Sequence, residues 1–301
     1  MKVKMLKANT IQTNFLMQLP ISTYIQLTKP RILMMVLITA TMGYFLANNN
    51  ETPVVTLVYT LCGMALAVGG SGALNHYIER ETDKKMRRTV NRPLPQGVIP
   101  PGQALFFGTT LIVAGTVVLF FLVNNITTIL VLLAALSYVL VYTPLKKVTW
   151  WNTFIGAIPG AIPPVAGWSA TGAITVEAWL LFAILFAWQH PHFYAIAWMY
   201  REDYARGGFK MLPVVEPDGK STFRQVIFYS LAMIASSIWL FIEGQMGYVY
   251  LSGAILLGAF FLNKAVIFCR GKQNSQAKEL LKASIIYLPI LLVLICMDKL
   301  L

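Results

Sequence analysis

The sequence predicts an all-α membrane protein with nine transmembrane helices. Three observations carry this. Of 301 residues, 57% are hydrophobic and only 12% are charged, against roughly 25% charged in soluble domains. Nine apolar runs approach the about 20 residues that a helix needs to cross a hydrocarbon core. Lys and Arg also fall almost entirely on one side of the nine runs. The mean hydropathy of +0.64 excludes an ordinary soluble enzyme and a disordered chain. The formal net charge of +12 raises the question of a nucleic-acid partner, but a basic groove needs a polar surface around it. No nucleic-acid partner is expected.

The nine runs are 32–48, 54–73, 103–123, 126–143, 151–169, 177–198, 224–242, 246–263 and 282–297. The fifth carries Pro159, Pro163 and Pro164. A helix there has to kink or break, and the freed carbonyls need protein or a cavity over them. Five Lys and Arg precede the first run, six follow the second, two the fourth, five the sixth and five the eighth. None follow the first, third, fifth or seventh, and only Lys299 lies beyond the ninth. The positive-inside rule makes the crowded side cytoplasmic, with the N-terminus inside and the C-terminus outside. An eight- or ten-span count destroys this alternation. Lys2, Lys4 and Lys7 are not followed by an apolar stretch of signal-peptide type, so no cleaved leader is expected. A single membrane domain over 1–301 is expected, with 1–27 as a cytoplasmic segment. Long inner loops at 74–102 and 199–223 lie four spans apart and hint at duplicated four-helix halves. Cys62, Cys269 and Cys296 are far apart and read as buried membrane thiols, without a disulfide framework or zinc spacing.

The first long loop reads NHYIERETDKKMRRTVNRPLPQG from Asn75. Asn75, Glu79 and Asp83 recur every four residues. If the second span continues as helix, each step turns about 40°, so the three share one face over about 12 Å. Oxygen donors on one face beside cations are what Mg2+ and a diphosphate require: Mg2+ takes a few carboxylates together with phosphate oxygens, and Arg gives bidentate phosphate contacts. Glu81 points off that face, toward solvent.

The second long loop follows WQHPHF, with Glu202 and Asp203 just past the sixth span. His190 and His192 lie within that span, where an ionisable residue marks a functional position. Imidazole ligates haem iron or accepts protons, and the sequence leaves both open. Trp188, Phe193, Tyr194, Trp198 and Tyr200 read either as bundle packing or as a surface for a carbocation or polyprenyl chain. Lys146 and Lys147 end the fourth span, where they either snorkel or reach a diphosphate. The run from Lys264 to Lys282 reads as a basic loop facing anionic lipid.

Together these residues resemble the UbiA superfamily of intramembrane prenyltransferases and, within it, the haem-farnesylating branch. The resemblance spans about 22–296. Its carriers are TKPR at Thr28 to Arg31, the pattern N-x-x-x-E-x-x-x-D-x-x-M-x-R-T-x-x-R-P-L-P from Asn75 to Pro95, YTPLKK from Tyr142, WQHPHF from Trp188 and EDYARGGFKMLP from Glu202. The resemblance implies a helical bundle with a central cavity open to the cytoplasmic side. It implies transfer of the farnesyl group of farnesyl diphosphate to the 2-vinyl group of protohaem IX (haem B), with addition of water, giving haem O and diphosphate. By motif position, Asn75, Glu79 and Asp83 hold Mg2+, and Asp203, with Glu202 nearby, belongs to a second cluster. Arg88, Arg92 and Lys146 or Lys147 hold the diphosphate. His190 or His192 orients haem or handles a proton. Superfamily members often carry two aspartates four apart in the second motif; here Asp203 is followed by Gly207. That Gly, and Glu79 in place of Asp, are familiar in the haem branch. A bacterial inner-membrane location follows, with the bilayer and a haem A synthase or terminal oxidase assembly as partners. The rival expectations are a prenyltransferase acting on 4-hydroxybenzoate or another quinone precursor, and a haem or polyprenyl-lipid transporter.

Overall fold

Apolar runs that must satisfy their own backbone groups in lipid form helices. The computed structural model describes residues 21–47, 52–244 and 246–300 and is helical throughout, with no strand among the described residues. Residues 1–20, most of the expected N-terminal cytoplasmic segment, lie outside them, as does Asn48 at the end of the first expected span. The nine long helices among the described residues are α1 (Pro30–Ala47), α2 (Val54–Asp83), α3 (Pro101–Leu122), α4 (Asn125–Leu145), α5 (Asn152–Ser169), α6 (Val176–Met199), α7 (Lys220–Ile242), α8 (Tyr248–Gly271) and α9 (Asn274–Leu300). Eight of them are long and apolar enough to cross a membrane. The exception, α5, has the length but not the apolarity, because Gly and Pro replace larger apolar residues.

The prolines do not interrupt α5, which stays helical from Asn152 to Ser169 through Pro159, Pro163 and Pro164. The physical reason is burial: α5 packs against α1, α4 and α6, and the run from Pro163 to Ser169 is buried. Gln189 of α6 donates to the Ala157 carbonyl at 3.2 Å. Around this centre α2 pairs with α3, α6 with α7 and α9, and α8 with both α7 and α9.

Glycine sets the approach of α1 to α5. A methyl group on Gly167 would overlap the Ala40 carbonyl oxygen, and one on Gly43 the Pro164 carbonyl oxygen. Both obstacles are backbone, which cannot swing aside; small residues serve this purpose at membrane-helix crossings. Gly167→Ala is expected to destabilise the bundle by about 3 kcal/mol, the upper end of overpacking costs. A lowered unfolding midpoint in detergent checks this, and an unchanged midpoint rejects it.

The connections alternate between two ends, as a nine-span count requires. At one end Tyr44 Oη donates to the Pro53 carbonyl at 2.9 Å, Asn124 Nδ2 to the Ser169 carbonyl at 2.7 Å, and the Tyr250 N–H to Asp298 at 3.0 Å. At the other end the Lys210 N–H donates to the Lys146 carbonyl at 2.7 Å, Asn152 Nδ2 to the Lys210 carbonyl at 3.0 Å, and Trp198 Nε1 to the Lys272 carbonyl at 3.2 Å.

Three local expectations change. The basic run from Lys264 to Lys282 is helical rather than a loop: α8 continues to Gly271 and α9 starts at Asn274. Charged residues here extend the helices beyond their apolar parts. Cys62 and Cys296 are exposed on the bundle surface rather than buried, and Cys269 is half-buried; all three are free. The first long loop shortens, because α2 runs on to Asp83.

Candidate active site

That extension of α2 builds the site. Asn75, Glu79 and Asp83 lie on its buried face, with exposures of 0%, 5% and 0%, while Glu81 is exposed and pairs with Lys84 at 2.9 Å. Each buried carboxylate has a cation. Lys146 Nζ lies 2.7 Å from Glu79 Oε1, and Arg92 Nη1 lies 2.8 Å from Asp83 Oδ2. Asn75 Nδ2 donates to Thr143 Oγ1 at 3.0 Å, and its Oδ1 accepts from Lys29 Nζ at 2.5 Å. Asp83 Oδ1 is buried with no hydrogen-bond partner, although buried polar atoms are nearly always paired. These are hard oxygen donors of the kind Mg2+ selects, and the orphaned Asp83 oxygen leaves one acceptor free for a cation. The residues fit the ion.

Two features that sequence reasoning did not single out complete the cluster. Lys29 links the short helix Ile21–Leu27 to α1 with φ +55°, a left-handed backbone that costs a non-glycine residue about 1–2 kcal/mol and tends to persist at functional sites. Its Nζ also donates to Tyr138 Oη at 3.2 Å. Burial first, and then the nearby charge of Lys146, push the Lys29 ammonium down to about 7. Burial likewise opposes the charge on Lys146, but the Glu79 carboxylate outweighs it and holds Lys146 above its ordinary range. The second feature is a π-helical segment in α4, Ser137–Tyr142, a distortion frequent at functional sites. It places the Tyr138 and Tyr142 rings 5.3 Å apart, with the Tyr142 ring 4.6 Å from Lys146 Nζ. The motifs TKPR and YTPLKK held Lys29 and Tyr142, but nothing in the spacing assigned them to this cluster. His76, also buried, has no partner at Nδ1.

Lys147 is exposed, so Lys146 is the lysine that enters the site. Arg92 is half-buried against Asp83, whereas Arg88 is exposed and lies over the rings of Tyr200 and Tyr204 at 5.5 and 5.6 Å.

Asp203 does not join Glu79 and Asp83, and no three acidic, histidine or cysteine side chains converge among the described residues. Its carboxylate accepts the N–H groups of Arg87 and Arg88, each at 3.0 Å, and pairs with Arg206. Desolvation opposes its ionisation, but the Arg88 N–H, Arg206 and the Arg87 N–H together hold it below the usual carboxylate range. Glu202 is exposed. Asp203 therefore ties the second loop to the segment carrying Arg88 and Arg92. A Cβ on Gly207 would lie 3.0 Å from Met86 Sδ, so glycine helps the two loops close together. Asp203→Ala is expected to speed amide exchange at Arg87 and Arg88 and to reduce turnover by about tenfold, the worth of one hydrogen bond to a charged group. Turnover loss with unchanged exchange would instead mark Asp203 as a direct ligand.

Within α6, His190 Nδ1 lies 2.7 Å from the Phe186 carbonyl and the ring stacks on Tyr229. His192 Nδ1 lies 2.7 Å from Ser284 Oγ, and its ring stacks on Trp188. The aromatics are mainly packing. Trp188 donates to the Ser284 carbonyl, Phe193 sits edge-on to His192, Tyr194 bonds Gln225, and Trp198 lies among Phe223 and Phe268. Tyr200 lies beneath Arg88.

A groove of about 450 Å³ runs along α1 from Ile25 and Thr28 past Leu33 and Leu37 to Met42, and its lining is almost wholly apolar.

Comparison with known proteins places this arrangement. The model of the UbiA prenyltransferase family matches residues 36–286. A protoheme IX farnesyltransferase of Solibacter usitatus is 46% identical, over 92% of this chain and 98% of its own. One of Salinibacter ruber is 42% identical, over 91% and 98%. Among solved structures, a digeranylgeranylglyceryl phosphate synthase superposes with a TM-score of 0.79 at 20% identity, covering 93% of this chain and 98% of its own. A UbiA homologue of Archaeoglobus fulgidus bound to DMAPP and Mg2+ gives a TM-score of 0.71 at 14% identity, covering 93% and 99%. At these identities the two structures speak for the fold.

Proposed function

Because the chain belongs to the UbiA prenyltransferase family, we propose that it transfers the farnesyl group of farnesyl diphosphate to the 2-vinyl group of haem B, with addition of water, giving haem O and diphosphate. The observation that carries this is the cluster at one end of the bundle: two buried carboxylates and an amide on α2, ringed by Lys29, Arg92 and Lys146. The curated relatives, at 42–46% identity over nearly their whole length, support haem as the acceptor.

Asn75, Glu79 and Asp83 would hold Mg2+ with the diphosphate. The ion supplies Lewis-acid neutralisation of the leaving group as its C–O bond breaks. The chain's own cations do the rest. Lys146 and Arg92 already face the cluster and are positioned to exchange a carboxylate partner for a diphosphate oxygen. Lys29 adds a third basic group held by Asn75 and Tyr138, and an arriving diphosphate would favour its charged form. Such preorganised charge stabilises a departing anion without reorganisation. The π-segment phenols Tyr138 and Tyr142 wall the cluster, and burial keeps bulk water from an allylic farnesyl cation. The apolar groove along α1 begins beside Lys29, and its size lies within the roughly 300–1,000 Å³ of ligand clefts; it suits the isoprenoid tail. The enzyme forms no covalent bond to substrate: it holds two apolar reactants together and stabilises charge. The bond from farnesyl C1 to the vinyl carbon forms, water adds to the resulting cation, and one proton leaves.

The distribution of Lys and Arg supports a cytoplasmic orientation for the end bearing the basic loops, in a chain we assign to the inner membrane. A haem A synthase or terminal oxidase assembly is the expected recipient of the product. Pigment analysis of membranes expressing this chain tests the reading: haem O is expected to accumulate, and its absence in membranes supplied with haem B rejects the reading.

A further inference from the structure

His76 lies in the wall of the carboxylate cluster and takes no part in its pairing. It is 4% exposed, and its Nδ1 is buried with no hydrogen-bond partner. The other two histidines each engage Nδ1, His190 with the Phe186 carbonyl and His192 with Ser284 Oγ. A buried nitrogen without a partner is rare and carries a desolvation cost. Helical geometry puts this one on the site. At 100° per residue, with Asn75 as origin, Glu79 falls at about 40°, Asp83 at about 80° and His76 at about 100°. The four side chains therefore share one face of α2, and His76 and Glu79, three apart, are neighbours on it. Gly72, one turn before His76, packs under the turn that leads to Lys29: a Cβ there would lie 3.1 Å from the Leu27 carbonyl oxygen and 3.2 Å from that of Thr28. The charges that act on the His76 ring are Lys29, Arg92 and Lys146.

These neighbours decide what the ring can bind. Three basic groups disfavour a cation and favour an anion. In either protonation state the imidazole offers at least one N–H donor, and donors to anionic oxygens make the stronger hydrogen bonds. The three basic side chains are already engaged, Lys29 by Asn75, Lys146 by Glu79 and Arg92 by Asp83, so an arriving phosphate oxygen has to displace a partner from each. His76 has no partner to give up. On the same face, Asp83 Oδ1 is the matching unpaired acceptor. One helix face thus presents a free acceptor for a cation and a free donor for an anion, as a diphosphate bound with its metal ion requires.

We propose that His76 is a substrate-binding residue whose ring N–H donates to an oxygen of the diphosphate gathered by Lys29, Arg92 and Lys146. This rests on the diphosphate site of the function proposed above and not on the haem acceptor. It is tested with the full chain in lipid nanodiscs, labelled with nitrogen-15 at histidine, using inorganic diphosphate with Mg2+ as the probe. The chain has 3 histidines, so His190→Gln and His192→Gln identify the His76 ring signals by elimination. On saturation with the probe, the His76 N–H proton is expected to move downfield as it bonds a phosphate oxygen. By calorimetry, His76→Ala is expected to lose about tenfold in diphosphate affinity, the worth of one hydrogen bond to a charged group. His76→Gln keeps an N–H donor and is expected to stay within about threefold of the wild type, whereas a residue that merely fills space gives equal losses in the two variants. A His76 signal that does not move when diphosphate is bound, or wild-type affinity in His76→Ala, overturns the proposal. If His76→Ala does not fold, the wild-type spectrum decides alone. Haem O production by the wild type is scored separately: haem O with an unmoved His76 signal sinks only this assignment, and a moved signal without haem O sinks the proposed acceptor and leaves this assignment standing.

Discussion

Asp83→Ala is expected to lower haem O formation by at least about 10²-fold, equivalent to about 2.7 kcal/mol of transition-state stabilisation. Asp83 is 0% exposed, has one oxygen on Arg92 and leaves the other without a partner. Its loss removes an oxygen donor from the diphosphate cluster and frees Arg92 from its anchor. Asp83→Asn keeps the shape and one oxygen but no charge, and is expected to lose nearly as much, because charge neutralisation is the function. Rates measured across a Mg2+ titration check this. Turnover within threefold of wild type in Asp83→Asn at saturating Mg2+ would contradict the assignment.

Lys146→Met carries a second large effect, on stability as well as rate. Lys146 and Glu79 form a buried pair, with side chains 13% and 6% exposed. Removing one partner of a buried pair leaves an uncompensated charge and costs about 3–5 kcal/mol. Lys146→Met is therefore expected to lower the unfolding midpoint in detergent and to reduce turnover by about 10²-fold or more. The double variant Lys146→Met, Glu79→Gln separates the two effects. Removing both charges is expected to restore most of the stability, since paired buried charges exchange for neutral groups at little cost, while turnover stays lost. Recovery of turnover in the double variant would show that the pair serves structure alone.

Much of this was legible in the sequence, for identifiable reasons. The nine-helix order follows from apolar run length and from basic residues that alternate between ends. The shared face of Asn75, Glu79 and Asp83 follows from helical geometry once α2 continues past its apolar part. The continuity of α5 was not legible, because its prolines are tolerated only through burial by α1, α4 and α6, and that is tertiary information. Lys29 and Tyr138 were missed for the same reason. They lie 109 residues apart in sequence and meet at 3.2 Å, one through a left-handed backbone and the other through a π-helical turn, and neither has a periodic signature. Asp203 adds a contact that no spacing reveals: its carboxylate accepts two backbone N–H groups of the other loop, from a segment far away in the chain.

The most direct test supplies the purified chain in nanodiscs with farnesyl diphosphate and Mg2+, offers haem B and 4-hydroxybenzoate together, and identifies the products by mass. The account predicts haem O as the farnesylated product, with release of diphosphate. Farnesylation of the aromatic acid alone, or movement of haem without any farnesylated product, would contradict it.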